Sequence, residues 1–129
     1  ERVGHVVRDV KPLSKEGKVV VCDRYVYSTL AYQVAAGLDL EWIELINHFA
    51  LKPHLALLID VPPDVVVKRL KRKKTVMEKK RNQEKVRDVY LKMVQEKRLM
   101  LIKGDKPVRE VAKSILEKVL GLLSTKHGL

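Results

Sequence analysis

Val19-Val20-Val21-Cys22-Asp23-Arg24-Tyr25 is the stretch on which the fold turns. Its first four residues are apolar and three of them are β-branched. A run so short and uninterrupted predicts a strand buried on both faces of a parallel sheet. An acid and a guanidinium follow at once, at the strand's carboxyl end. Beyond them a helix is expected from near Tyr27 to Ala36, stopped by Gly37. Upstream, apolar residues at 3, 6, 7 and 10 recur at helical spacing, Pro12 follows, and Lys15-Glu16-Gly17-Lys18 is a polar turn. The chain opens on Glu1 with no helix cap before it, so it is expected to start inside a larger protein.

Downstream, a helix is expected from Asp39, its N-cap, to Phe49. Leu55 to Val61 reads as a second buried strand closed by Pro62-Pro63. Val65, Val66 and Leu70 continue a helix into a basic stretch. A long amphipathic helix carries Val86, Val89, Tyr90, Met93 and Val94 on one side. Residues 98–102 form a third strand, Gly104 to Pro107 a loop, and Val108 to about Leu123 a last helix with Val111, Ile115, Val119 and Leu122 at helical spacing. Strands alternating with helices imply an α/β fold, a parallel sheet flanked by helices and joined by right-handed crossovers. In such sheets ligands bind at the carboxyl ends of the strands, here after residues 22, 61 and 102.

The 129 residues make one domain or part of one. Hydrophobic residues are 46% of the chain and aromatics 5%, so Val, Leu and Ile must build the core. No apolar run is long enough to cross a bilayer and no signal peptide is visible. Cys22 is the only cysteine, which excludes an internal disulfide; a buried, inert thiol in a reducing cytoplasm is expected. His5, His48, His54 and His127 form no metal-ligand cluster, so no protein-held metal is expected. The net charge is +11, but residues 68–98 hold fourteen Lys and Arg against four acids. The remainder is near neutral, which argues for a local basic device. Heavy use of Lys and Glu, with three Gln and two Asn, is the composition of a thermophilic source.

Asp23-Arg24 suits a phosphate monoester. The planar fork of Arg24 grips two phosphate oxygens, and a helix N-terminus beside it adds backbone donors. Asp23 would orient Arg24, accept a hydrogen bond from a sugar hydroxyl, or hold water on Mg²⁺; alternatively, the two form an ion pair that closes the strand–helix turn. Residues 25, 28, 29 and 32 are spaced to share one helical face.

Asp23-Arg24-Tyr25-x-x-Ser28-x-x-Ala31-Tyr32-Gln33 resembles the signature of thymidylate kinases, which phosphorylate dTMP with ATP. The resemblance extends to Glu1-Arg2-x-x-His5, to Pro12-Leu13-x-x-x-Gly17-Lys18-Val19-Val20, to Leu58-Ile59-Asp60-Val61-Pro62-Pro63-Asp64 with Lys68-Arg69, and to Glu78 and Val86-Arg87-x-x-Tyr90-Leu91. It implies a fold like that of P-loop nucleoside monophosphate kinases, present here as a single incomplete domain whose first two strands are missing. It further implies that Arg24 binds the dTMP phosphate, that Asp23 sits by the sugar or Mg²⁺, and that Arg2 reaches the thymine. Ser28, Tyr32 and Gln33 would line the nucleoside pocket, Tyr32 where a ribose 2′-hydroxyl would clash. The basic segment, about 71–82, falls where the family carries its lid over ATP. Arg69, Arg72 and Arg81 are its candidates, with Asp23, Arg24, Arg72 and Arg81 as the catalytic set. By fold analogy Gly104, Asp105 and Lys106 lie against the adenine. Mg²⁺ with ATP, a homodimer and a cytoplasmic location are implied as well.

A kinase of this kind needs Gly-x-x-x-x-Gly-Lys-Ser/Thr, and no such sequence occurs here. In the family's usual strand order the strand preceding that loop lies between those corresponding to 19–22 and 55–61. The segment alone is therefore expected neither to transfer phosphate nor to pack well. Other readings are a catalytically inactive nucleotide-binding relative and a deoxynucleoside kinase. A basic nucleic-acid module over 68–98 is disfavoured, because that region has only Tyr90 to stack a base.

Overall fold

A computed structural model describes residues 6–69 and 73–127. The chain divides into two compact units, Glu1–Pro53 and His54–Leu129.

In the first unit a π-helical turn, Val6–Val10, runs into helix α1, Lys11–Lys15. Pro12 does not follow this helix, as the sequence suggests, but sits in the first turn of α1. There an absent N–H is no loss, since the first donors of a helix have no partner within it. Gly17, at φ 78°, turns the chain out of α1. Helix α2, Val26–Ala35, and helix α3, Leu40–Ile46, then pack through Leu30, Ala31 and Ile43, which are buried. Gly37, at φ 98°, makes the turn between them. Asp39 has extended backbone at the start of α3, but its side chain makes no capping bond. That helix ends at Ile46, short of Phe49: the side chain of Asn47 donates to the Ile43 carbonyl at 2.9 Å, and its backbone N–H donates to the same carbonyl.

Two expectations for this unit are corrected. Val19 to Cys22 is not a strand, and Val21 is 87% exposed. Cys22 is exposed as well, not buried. Extended backbone becomes a strand only when a neighbour takes up its N–H and C=O groups. Among the described residues no strand pairs with this run.

The second unit contains β1, Leu57–Asp60, helix α4, Pro63–Arg69, helix α5, Lys73–Gln95, β2, Met100–Lys103, and helix α6, Val108–His127. β1 and β2 pair in parallel, Leu57 opposite Met100 and Asp60 opposite Lys103. This is the α/β arrangement expected, with two strands among the described residues. The core is apolar throughout: Val86 and Met93 from α5, Leu99, and Ile102 from β2. Lys97, at φ 61°, ends α5, and the Arg98 N–H donates back to the Met93 carbonyl at 2.9 Å. The strands are not covered on both faces, for Ile59 is 52% exposed and Leu101 is exposed. No helix among the described residues is long and apolar enough to cross a membrane.

Gly104 closes the sheet. Its N–H donates to the Asp60 carbonyl at 2.7 Å, and a Cβ there would lie 2.8 Å from Ile59 Cγ2 and 2.9 Å from Val61 Cγ2. Both neighbours are β-branched and stiff. Gly104→Ala is expected to destabilise the protein by about 1–3 kcal/mol. Gly121→Ala, in open space on α6, should stabilise it by about 0.5–1 kcal/mol. Urea denaturation of the two variants checks both signs.

Candidate functional site

The bend at Asp23-Arg24 builds the first site. Arg24 has φ 59°, a left-handed backbone that costs an L-residue about 1–2 kcal/mol. Helix α2 starts two residues on, and the bend carries the Arg24 side chain back along it. Nε donates to Ser28 Oγ at 2.9 Å, and the guanidinium carbon lies 4.8 Å from the centroid of the Tyr32 ring, a cation–π contact. Residues 24, 28 and 32 thus share one face of the helix start. Arg24 is exposed, and its terminal amino groups have no partner among the described residues.

Asp23 is exposed and makes no ion pair with Arg24; the guanidinium is held by Ser28 and Tyr32 instead. Gln33 is exposed too. It stands about 100° round the helix from Tyr32 and does not join the group. Arg2 and Arg72 lie outside the described residues. Arg69, at the end of α4, and Arg81, on α5, are exposed. Gly104 is held on Asp60, while Asp105 and Lys106 beyond it are exposed.

The second unit holds a charge pair that the sequence does not reveal. Asp60, the last residue of β1, accepts two hydrogen bonds from the side edge of the Arg87 guanidinium: Nε to Oδ1 at 2.8 Å and Nη2 to Oδ2 at 2.9 Å. The side chain of Asp60 is only 12% exposed and that of Arg87 33%. The hydrogen bond that Arg87 donates to Asp60 raises the Arg87 pKa above its ordinary value. Two helical turns earlier on α5, Lys80 reaches Asp64 of α4 at 2.7 Å and Glu84 at 3.9 Å. Cations from the basic segment are therefore tied to acids at the end of β1 and the start of α4. In the sequence Asp60 and Arg87 each stand in a segment that resembles the family, Asp60 near the end of an apolar run and Arg87 among fourteen bases in residues 68–98; only folding shows that they pair.

Among the described residues no group of three or more His, Cys, Asp or Glu is placed to hold a metal. Mg²⁺ that travels with a nucleotide needs no such cage, since phosphates and water supply most of its ligands and one or two carboxylates the rest. Exposed Asp23 beside Arg24 fits that donor set.

A family model described as thymidylate kinase matches residues 1–115. A probable thymidylate kinase of Pyrococcus horikoshii is 46% identical over 98 residues, covering 74% of this chain and 48% of its own length. One from Pyrococcus abyssi is 41% identical over 123 residues, covering 92% and 60%. A third, from Pyrobaculum calidifontis, is 37% identical over 119 residues, covering 90% and 61%. The chain spans about half to three fifths of the length of these relatives.

Breaking the Asp60–Arg87 pair is expected to destabilise the protein by about 1.5–3 kcal/mol in either Asp60→Asn or Arg87→Ala. The double variant should cost less than the sum, as a denaturation cycle would show. The Asp64 carboxyl is lowered from its ordinary value, first by the hydrogen bond from Lys80 and then by its charge. A depressed carboxylate adds stability above its unfolded pKa and loses it as pH falls through the folded one. Asp64 should therefore titrate below ordinary aspartates by NMR, and Lys80→Ala should raise its midpoint.

Proposed function

This chain belongs to the thymidylate kinase family, and on that premise we propose that its parent protein transfers the γ-phosphate of ATP to dTMP, giving dTDP. The chain would supply the acceptor pocket and the lid of one incomplete nucleotide-kinase domain. The observation that carries this reading is Arg24, exposed and held by Ser28 and Tyr32, its terminal amino groups without a partner among the described residues. A phosphate monoester is the ligand such a fork suits. Asp23 serves the sugar hydroxyl or a water on Mg²⁺, and Arg2 the thymine. Tyr32 stands where a ribose 2′-hydroxyl would be, with Gln33 at the pocket's margin. Arg69, Arg72 and Arg81 belong to the lid, about 71–82, over the ATP phosphates, and Gly104, Asp105 and Lys106 to the adenine side. Mg²⁺, bound with ATP, neutralises phosphate charge. The parent protein acts as a homodimer in the cytoplasm, a reducing compartment that suits the exposed Cys22 thiol.

The sequence has no Walker-type loop, so the isolated 129 residues should give no dTDP from dTMP, ATP and Mg²⁺. The parent protein should give it, and Arg24→Ala should lower kcat/KM for dTMP by about 100-fold or more, the loss of two charge-assisted hydrogen bonds. Turnover by the isolated chain would overturn the division of labour. Phosphorylation of thymidine in place of dTMP would overturn the substrate.

A further inference from the structure

Arg24, Ser28 and Tyr32 are each spaced four residues from the next, and the structure joins them through one hydrogen bond and one ring contact. We infer that Ser28 and Tyr32 are positioning residues, which fix the Arg24 guanidinium so that it meets the acceptor phosphate end-on, through Nη1 and Nη2. This deepens the thymidylate kinase reading and rests on it.

A guanidinium offers an anion a side edge, Nε with one terminal nitrogen, or an end edge made of both terminal nitrogens. Ser28 Oγ occupies Nε at 2.9 Å, so the side edge is taken. The Tyr32 ring, 4.8 Å from the guanidinium carbon, covers one face. What remains open is the end edge and the opposite face. The backbone contributes as well. With φ at 59°, Arg24 has a left-handed backbone where the chain bends into α2. A long, exposed arginine would otherwise spread over many rotamers, and a phosphate would have to order it on binding. Here the hydroxyl, the ring and the bend order it beforehand. Ser28 and Tyr32 thereby act on the phosphate through Arg24, a role distinct from any contact they make with the nucleoside.

The test is binding of dTMP and of thymidine to the parent protein, by calorimetry or by competition against dTMP, in Ser28→Ala, Tyr32→Leu, Tyr32→Phe and Arg24→Gln, with the double variants Ser28→Ala/Arg24→Gln and Tyr32→Leu/Arg24→Gln. Ser28→Ala and Tyr32→Leu should each weaken dTMP about 3- to 10-fold. They should weaken thymidine several-fold less than dTMP, since thymidine lacks the phosphate that Arg24 holds. Tyr32→Phe keeps the ring face and should retain the preference for dTMP over thymidine that Tyr32→Leu loses. In the Arg24→Gln background the Ser28 and Tyr32 losses should vanish. Equal weakening of dTMP and thymidine, or additive losses beside Arg24→Gln, would overturn the positioning role while leaving the substrate reading intact. A wild-type protein that ignores dTMP would remove the substrate reading itself.

Discussion

Asp60 is the point on which the second unit depends. Its carbonyl accepts the N–H of Gly104 at the exit of β2, and its carboxylate accepts two hydrogen bonds from one edge of the Arg87 guanidinium on α5. One residue therefore ties two parallel strands and the long helix at the carboxyl end of the sheet. Each bond constrains what surrounds it. The backbone bond admits no side chain at position 104, and the carboxylate, largely withdrawn from water, must keep its cation. The basic segment of α5 is thus partly anchored, through Arg87 and through Lys80 on Asp64, instead of being a uniformly solvated run.

A different device governs the first unit. There the backbone does the positioning, since Arg24 adopts a left-handed conformation that an arginine rarely takes. Strain at an exposed residue gains meaning from what it accomplishes, and here it delivers the guanidinium to Ser28 and Tyr32. Anion recognition favours such an arrangement, because a guanidinium ordered beforehand loses less freedom when its ligand arrives. Held by Ser28 and Tyr32, the Arg24 guanidinium makes no ion pair with Asp23. With no ion pair between them, the carboxylate stays available for a hydroxyl or a hydrated cation.

The exposed apolar surface follows from backbone accounting. Val19 to Cys22 has the composition of a buried strand, yet Val21 stands open and Ile59 of β1 is half exposed. Composition expresses what a segment is suited to, while strand formation needs a partner for every N–H and C=O. Where none of the described residues offers one, a valine-rich run forms no strand and stays exposed.

Periodicity and turn chemistry, which are local, were legible in the chain itself. Helix α5 carries its buried Val86 and Met93 at helical spacing, Gly37 breaks where a left-handed turn is needed, and β1 and β2 overlap the apolar runs that announce them. The eleven-residue signature around Arg24 likewise determined the family and the candidate acceptor residues. Tertiary structure alone decided the rest. It chose Arg87 for Asp60 across 27 residues, made Gly104 a close approach to Ile59 and Val61, left Cys22 exposed, and turned Ser28 and Tyr32 toward Arg24. Those outcomes depend on which groups meet in space, and a one-dimensional pattern carries no information about a partner's distance or direction.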